Sequence, residues 1–312
     1  MKTIFLLNGQ GSQFYHMGES YYKENQLFKE SLLMLENRVK QLFNLSVLEK
    51  VMDKSKKIKT PFEDLTISNL SIFFIQYGLF KVLEASGIRP DKLIGVSFGE
   101  CSCAILSNTI SLDEGLQIIY TQSEYLKRNT GQGFLINVYK DKVQELKADN
   151  VFLAGHFSEN NYLVAVGERV VAEKVLNESD NSKKNSLLPV RIPFHSCLID
   201  PFREEYLKLV ERREITYSTP LFECYSAGYT KKIDYFSDNH FWSMIRNPIN
   251  FKQTIYQLEE KGNYRYIELG ATSNLARAVR MILSEKSNSE VVDLMGPFIN
   301  TDKSLKEITG KE

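Results

Sequence analysis

The sequence predicts an α/β fold, a large body on a mainly parallel sheet that is interrupted by a smaller inserted unit of ferredoxin-like order. Three observations carry this expectation. Short β-branched and apolar runs, Thr3–Leu7 and Leu93–Gly95, alternate with long segments of helical spacing. Each run leads into a glycine-rich turn, Asn8–Gln13 and Gly95–Gly99, as a buried strand does where it hands over to a loop or helix. Between residues 132 and 195 the rhythm changes to the order βαββαβ.

Element by element, Thr3–Leu7 reads as a buried strand. Residues 20–56 show helical spacing, with Leu32, Leu35, Val39 and Leu42 on one face. Asp64–Ser86 is a long helical segment with the stripe Leu70, Phe73, Phe74, Tyr77 and Phe80. A second strand ends at Gly95, and Glu100–Leu106 begins the helix after it. Ser111–Glu114 has the form of a capping box opening a helix to about Arg128. In the inserted unit, Phe134–Tyr139 is a strand and Lys142–Lys147 a short helix. Val151–Phe157 and Tyr162–Val166 form a hairpin, Val170–Asn177 a helix and Leu187–Ile192 the last strand. Asp180–Ser186 is a surface loop. The expected organisation is a large domain of residues 1–131 and 196–312 with a small domain of residues 132–195 inserted in it.

Composition narrows the function classes. Of 312 residues, 43% are hydrophobic, enough for a substantial core. Lys plus Arg and Asp plus Glu number 39 each, so no global field recruits nucleic acid or an anionic membrane. Cys101, Cys103, Cys197 and Cys224 lack paired metal-ligand spacing, and the first two sit in an apolar run that reads as core. The opening run is too short for a signal peptide, and no stretch is expected to span a bilayer. A cytoplasmic protein with reduced thiols, no metal and no cofactor of its own is the expectation.

One turn carries chemistry. Gly95-Val96-Ser97-Phe98-Gly99, between a buried strand and a helix, has the form of a nucleophile elbow. Such a turn lifts the serine Oγ above the sheet edge, at a helix N-terminus whose N–H groups can meet an oxyanion. Serine needs a base, and four histidines are available: His16, His156, His195 and His240. Spacing does not choose among them.

Several blocks together carry a resemblance: Gly9-Gln10-Gly11-Ser12-Gln13, Gly95–Glu100, Pro193-Phe194-His195, Ile245-Arg246-Asn247-Pro248 and Ile267-Glu268-Leu269-Gly270. The chain resembles the malonyl-CoA:acyl-carrier-protein transacylase family over nearly its whole length. Within that family it is most similar to the free-standing acyltransferases and acyl hydrolases of trans-acyltransferase polyketide synthases. The resemblance implies an α/β-hydrolase-like large domain with the catalytic histidine at the exit of the inserted small one. It implies Ser97 as the acylated nucleophile and His195 as its base, in a dyad whose imidazole is oriented by a main-chain carbonyl. Counting back from Pro248, that carbonyl is expected at Met244. The backbone N–H groups of Gln10 and Phe98 would form the oxyanion hole. The implied partners are acyl carrier proteins of a polyketide synthase, or acyl-CoA, with phosphopantetheine brought by the substrate.

Three positions bear on the substrate. Malonyl-using members carry an arginine on the helix after the elbow, where it pairs with the substrate carboxylate; here Gln122 falls at that position. Arg128 lies well around the helix from it. Val96 stands where the family usually has histidine, which makes the wall of the site more apolar. Phe194 matches the residue common in malonyl-selective members. The missing charge outweighs that steric signal, so the expectation is a hydrolase that clears acyl groups from carrier proteins, with an acyltransferase as the alternative. Lys183, Lys184, Arg191, Lys231, Lys232 and Arg277 are candidate carrier-protein contacts, and Leu294–Phe298 is expected to pack on the large domain.

Overall fold

The structure, a computed structural model, describes residues 1–129, 131–140, 149–178, 184–296 and 299–310. Strand β1 (Lys2–Leu7) is followed by α1 (Glu19–Glu24), α2 (Gln26–Phe43) and α3 (Val47–Val51), where one helical stretch was expected. Asn25 and Ser46 divide it. Each side chain accepts the N–H three residues onward, from Phe28 and Glu49, and so opens a new helix. Asp64 caps α4 (Leu65–Ala85) in the same manner. Then come β2 (Lys92–Gly95), α5 (Gly99–Leu106) and α6 (Leu112–Arg128), which opens on the full Ser111–Glu114 capping box.

Next are β3 (Phe134–Tyr139), β4 (Val151–Ser158), β5 (Asn161–Val166), α7 (Arg169–Asn177) and β6 (Ser186–Leu187). The helix expected at Lys142–Lys147 lies outside the described residues, as do residues 180–183 of the expected loop. β6 is shorter than the strand expected at Leu187–Ile192. Pro189 has no N–H to offer a ladder, and pairing with Ile136 and Asn137 stops before it. A 3-10 helix at Cys197–Phe202 leads into α8 (Arg203–Glu211), β7 (Glu223–Ser226), β8 (Lys231–Lys232), α9 (Asp238–Arg246) and α10 (Phe251–Glu259). The chain closes with β9 (Tyr264–Glu268), α11 (Asn274–Ile282), β10 (Glu290–Asp293) and α12 (Thr301–Thr309).

The larger sheet has the order β10-β9-β1-β2-β7-β8 and is parallel except for the edge strand β8. Its central strands are buried, as in a sheet covered on both faces by helices: Ile4 to Leu7, Leu93 and Ile94 are all fully enclosed. The C-terminal ends of β1 and β2 lie side by side, Leu7 opposite Gly95, and so bring the two glycine turns together. Ligands of open α/β sheets bind at this edge.

The smaller sheet is antiparallel, in the order β4-β5-β3-β6, which is the ferredoxin-like arrangement. Alternation along its strands serves two cores. Phe134, Ile136, Val138, Tyr162, Val164 and Val166 face α7, while Leu135, Leu163 and Ala165 join the main core.

Contrary to the sequence expectation, one helix among the described residues is long and apolar enough to cross a bilayer. That helix is α4, and 89% of its most apolar window is buried inside the protein. It packs against α2 and α6 as a core helix. Leu294 and Met295 are buried as expected, and residues 297–298 lie outside the described residues.

Candidate active site

The turn after β2 owes its shape to close backbone packing. Ser97 adopts φ +54°, and Gly99 N–H donates to Val96 O at 3.0 Å, while Glu100 N–H donates to Ser97 O at 2.8 Å. A left-handed serine is strained and is held here by what surrounds it. A Cβ at Gly99 would overlap the Leu7 carbonyl oxygen, so α5 can start against β1 only with glycine there. Val96 and Phe98 flank the serine and are each 3% exposed.

His195 reaches this serine. Its Nε2 lies 2.9 Å from Ser97 Oγ, and its Nδ1 lies 2.8 Å from the carbonyl oxygen of Asn247. A carbonyl only accepts, so Nδ1 carries the proton and the Nε2 lone pair faces the hydroxyl. The imidazole is buried, and burial lowers its pKa to about 4, the Asn247 hydrogen bond acting in the opposite sense. It is therefore neutral and able to accept a proton at pH 7. His195 also has a positive φ, +61°, and its N–H donates to Ile245 O at 2.8 Å.

The orienting carbonyl belongs to Asn247, which corrects the expectation of Met244. Pro248 disfavours the helical conformation at the residue before it. Asn247 accordingly leaves α9 in an extended conformation, φ −75° and ψ 141°, and turns its carbonyl out of the helix toward the imidazole. The same strap is fixed on two further sides. Ile249 exchanges hydrogen bonds with Ala154 O and His156 N in β4, and Asn250 N–H donates to Ala227 O beyond β7.

The other three histidines are occupied elsewhere. His16 Nδ1 meets Glu19 at 2.8 Å and its Nε2 lies 2.9 Å from Lys56 O. His156 stacks on Tyr162 within the small sheet. His240 Nε2 lies 2.8 Å from Glu100 Oε2 in a buried pair, and Ser226 Oγ donates to the other Glu100 oxygen.

The Gly9–Gly11 loop lies directly on the elbow. A Cβ at Gly9 would stand 2.9 Å from Val96 O and 3.2 Å from Phe98 N. Among the described residues, the backbone N–H groups of Gln10 and Phe98 have no hydrogen-bond acceptor. The Gln10 side chain instead donates to Asn69 Oδ1 at 2.6 Å, and Asn69 donates to Ser123 Oγ at 2.8 Å.

Gln122, beside Ser123, is 4% exposed, and its Oε1 accepts from the Tyr206 hydroxyl at 3.2 Å. Tyr206 is fully buried and its ring packs near those of Tyr125 and Trp242. Arg128 is exposed on α6. Phe194 is buried, its ring centroid 6.3 Å from that of His195. Cys101, Cys103 and Cys224 are buried in the core. Lys184, Arg191, Lys231, Lys232 and Arg277 are exposed, and Lys183 lies outside the described residues.

Sequence reasoning did not single out Asn247, Asn69, Ser123 or Tyr206. Pro248 was the available signal for Asn247. Tyr206 lies far along the chain, on α8, and had none. The assembled groups can activate a hydroxyl, take up its proton, and present two N–H groups where negative charge would develop on a carbonyl oxygen.

Comparison with known proteins bears on the same region of the chain. The sequence pattern of a family described as acyl transferase domain matches residues 4–309. The polyketide biosynthesis acyltransferase homolog PksD of Bacillus subtilis is 29% identical over 311 residues, covering 98% of this chain and 95% of PksD. The homolog BaeD of Bacillus velezensis is 28% identical over the same length and shares. Among solved structures, a loading acyltransferase from the avermectin modular polyketide synthase superposes with a TM-score of 0.86 at 17% identity, over 99% of each chain.

Proposed function

Because this chain belongs to the acyl transferase domain family, we propose that it hydrolyses acyl-carrier-protein thioesters in polyketide biosynthesis through an acyl ester on Ser97. Ser97 Oγ attacks the thioester carbonyl while His195 Nε2 takes its proton, the pair standing 2.9 Å apart before substrate arrives. The N–H groups of Phe98 and Gln10 receive the oxyanion. The C–S bond breaks, and the phosphopantetheine sulfur leaves with the proton held on Nε2. Water then attacks the ester and gives its proton to Nε2, which returns it to Ser97 Oγ as the free acid departs. The Asn247 carbonyl is neutral, so it orients the imidazole without contributing a full counter-charge.

The observation that carries the reading is Gln122. It stands where the resemblance places an arginine in malonyl users, and it is a buried neutral amide held by Tyr206 among aromatic rings. A malonyl carboxylate brought beside it would lose water without gaining a cation. That costs on the order of 3–5 kcal/mol, or ~100-fold or more in selectivity for neutral acyl groups. The names borne by PksD and BaeD over nearly this whole chain support the polyketide setting. The proposed partners are acyl carrier protein domains of a polyketide synthase, on which the enzyme acts in trans, with acyl-CoA as a second donor. The alternative is an acyltransferase that loads a malonyl or other unit, and Phe194 favours its malonyl form by shape alone.

The test is a comparison of kcat/KM for acetyl- and malonyl-loaded carrier protein. Acetyl is expected to lead by ~100-fold. Gln122→Arg is expected to narrow or invert that ratio at the expense of acetyl. An equal or higher value for malonyl in the parent enzyme would sink the reading.

A further inference from the structure

The Gln10 N–H belongs to the Gly9–Gln10 peptide, and a trans peptide points its C=O and N–H in opposite directions. Whatever holds the Gly9 carbonyl oxygen therefore aims the Gln10 N–H. Ser12 Oγ donates to Gly9 O at 2.7 Å and lies 3.2 Å from Asn8 Oδ1. Asn8 Nδ2 donates to Glu268 Oε1 at 2.8 Å, and Glu268 Oε2 accepts from Ala276 N–H at 2.8 Å, at the first turn of α11. Gln76, on α4, donates to both Asn8 O (2.8 Å) and Asn8 Oδ1 (3.1 Å).

Every member of this chain of contacts is buried: Asn8 and Ser12 are 4% exposed, Glu268 1% and Gln76 0%. Here Ser12 holds the Gly9–Gln10 peptide through Gly9 O, and Gln76 holds the preceding Asn8–Gly9 peptide through Asn8 O. Three elements at the sheet edge, β9, α4 and α11, thus grip a glycine-flanked loop that has little conformational preference of its own.

We propose that Glu268, Asn8 and Ser12 form a positioning relay that fixes the Gly9–Gln10 peptide so that the Gln10 N–H faces the reacting carbonyl. The proposal rests on the acyl-serine reading above and assigns roles to residues that do not touch the substrate. Burial raises the Glu268 carboxyl to about 8, against the hydrogen bonds from Ala276, Asn8 and Leu275, and with Asp293 nearby adding to the rise. Both carboxyl oxygens accept N–H groups, from Asn8 and from Ala276, so Glu268→Gln keeps one acceptor and turns an NH2 toward the other donor.

The experiment measures steady-state kcat and KM and the rapid-quench rate of Ser97 acylation by acetyl-loaded carrier protein. The full chain is used, with Ser12→Ala, Asn8→Ala, Glu268→Leu, Glu268→Gln and Ser97→Ala. Near-UV circular dichroism and Tm report folding. Ser12→Ala is expected to lower kcat and the acylation rate about 10-fold, and Asn8→Ala and Glu268→Leu about 10- to 100-fold, with KM within about twofold. Glu268→Gln, which keeps one of the two acceptor contacts, is expected to recover only part of what Glu268→Leu loses. Ser12→Ala removes one oxygen atom and carries the test where a larger change does not fold. Folded Ser12→Ala and Asn8→Ala enzymes with parental kcat, beside an inactive Ser97→Ala, would overturn the relay alone. Parental turnover by Ser97→Ala would overturn the acyl-serine reading and the relay with it.

Discussion

Ser97→Ala is expected to lower kcat by roughly 10⁴- to 10⁶-fold and to eliminate any acyl adduct seen by intact-protein mass spectrometry. The expectation follows from the geometry of the turn. The left-handed φ of Ser97 places one hydroxyl 2.9 Å from the only histidine, among all four, that is held toward it. Alanine keeps the backbone and the two N–H groups while removing the oxygen on which the proposed ester forms. The fold should be unaffected, because Ser97 is partly exposed and its side chain makes no other hydrogen bond among the described residues. A thermal shift of more than a few degrees would point to a structural cause for any loss.

His195→Ala should cost on the order of 10⁴-fold in kcat. Both half-reactions of the proposed hydrolysis need Nε2, first for the serine proton and then for that of water. The pH profile of the parent sharpens this. In the proposed mechanism the neutral imidazole is the active form, and burial lowers its pKa to about 4. The acid limb of kcat/KM is therefore expected near pH 4, well below the ordinary histidine range near 6.5. Activity falls as pH drops through about 4 and holds between pH 5 and 7. An acid limb near 6.5 would mean that the imidazole is more hydrated in solution than its burial implies. The same depression bears on stability. The unfolded chain takes up the proton near 6.5 and the folded one only near 4, so this residue's contribution to stability falls as pH drops across that window.

Much of this site was legible because its chemistry depends on backbone geometry that few residues allow. The Gly95–Gly99 pattern between a buried strand and a helix marked Ser97 from its context, and the βαββαβ order of elements along 134–192 marked the ferredoxin-like sheet. His195 was different: spacing left four histidines open, and the resemblance supplied the choice that the 2.9 Å contact matches. The long helical stretch of 20–56 was divided by Asn25 and Ser46, because capping is a local event that a hydrophobic stripe does not record. The orienting carbonyl was placed three residues too early, since the effect of Pro248 acts on Asn247 directly before it. The grip of Asn8 and Glu268, 260 positions apart, and the Tyr206–Gln122 contact depend on the packing of distant elements. No local pattern encodes them.

The site also explains why the fate of the ester is the decisive question. Acylation is common to a hydrolase and a transferase; they part when either water or a second thiol meets the proposed Ser97 ester beside His195. The most direct measurement follows a carrier protein loaded with radiolabelled acetate, mixed with enzyme and a second, unloaded carrier protein. Free acetate should appear faster than label on the second carrier, and malonyl-loaded carrier should react slowly by either route. Rapid movement of malonyl to the second carrier, with no free acid released, would contradict the proposed function.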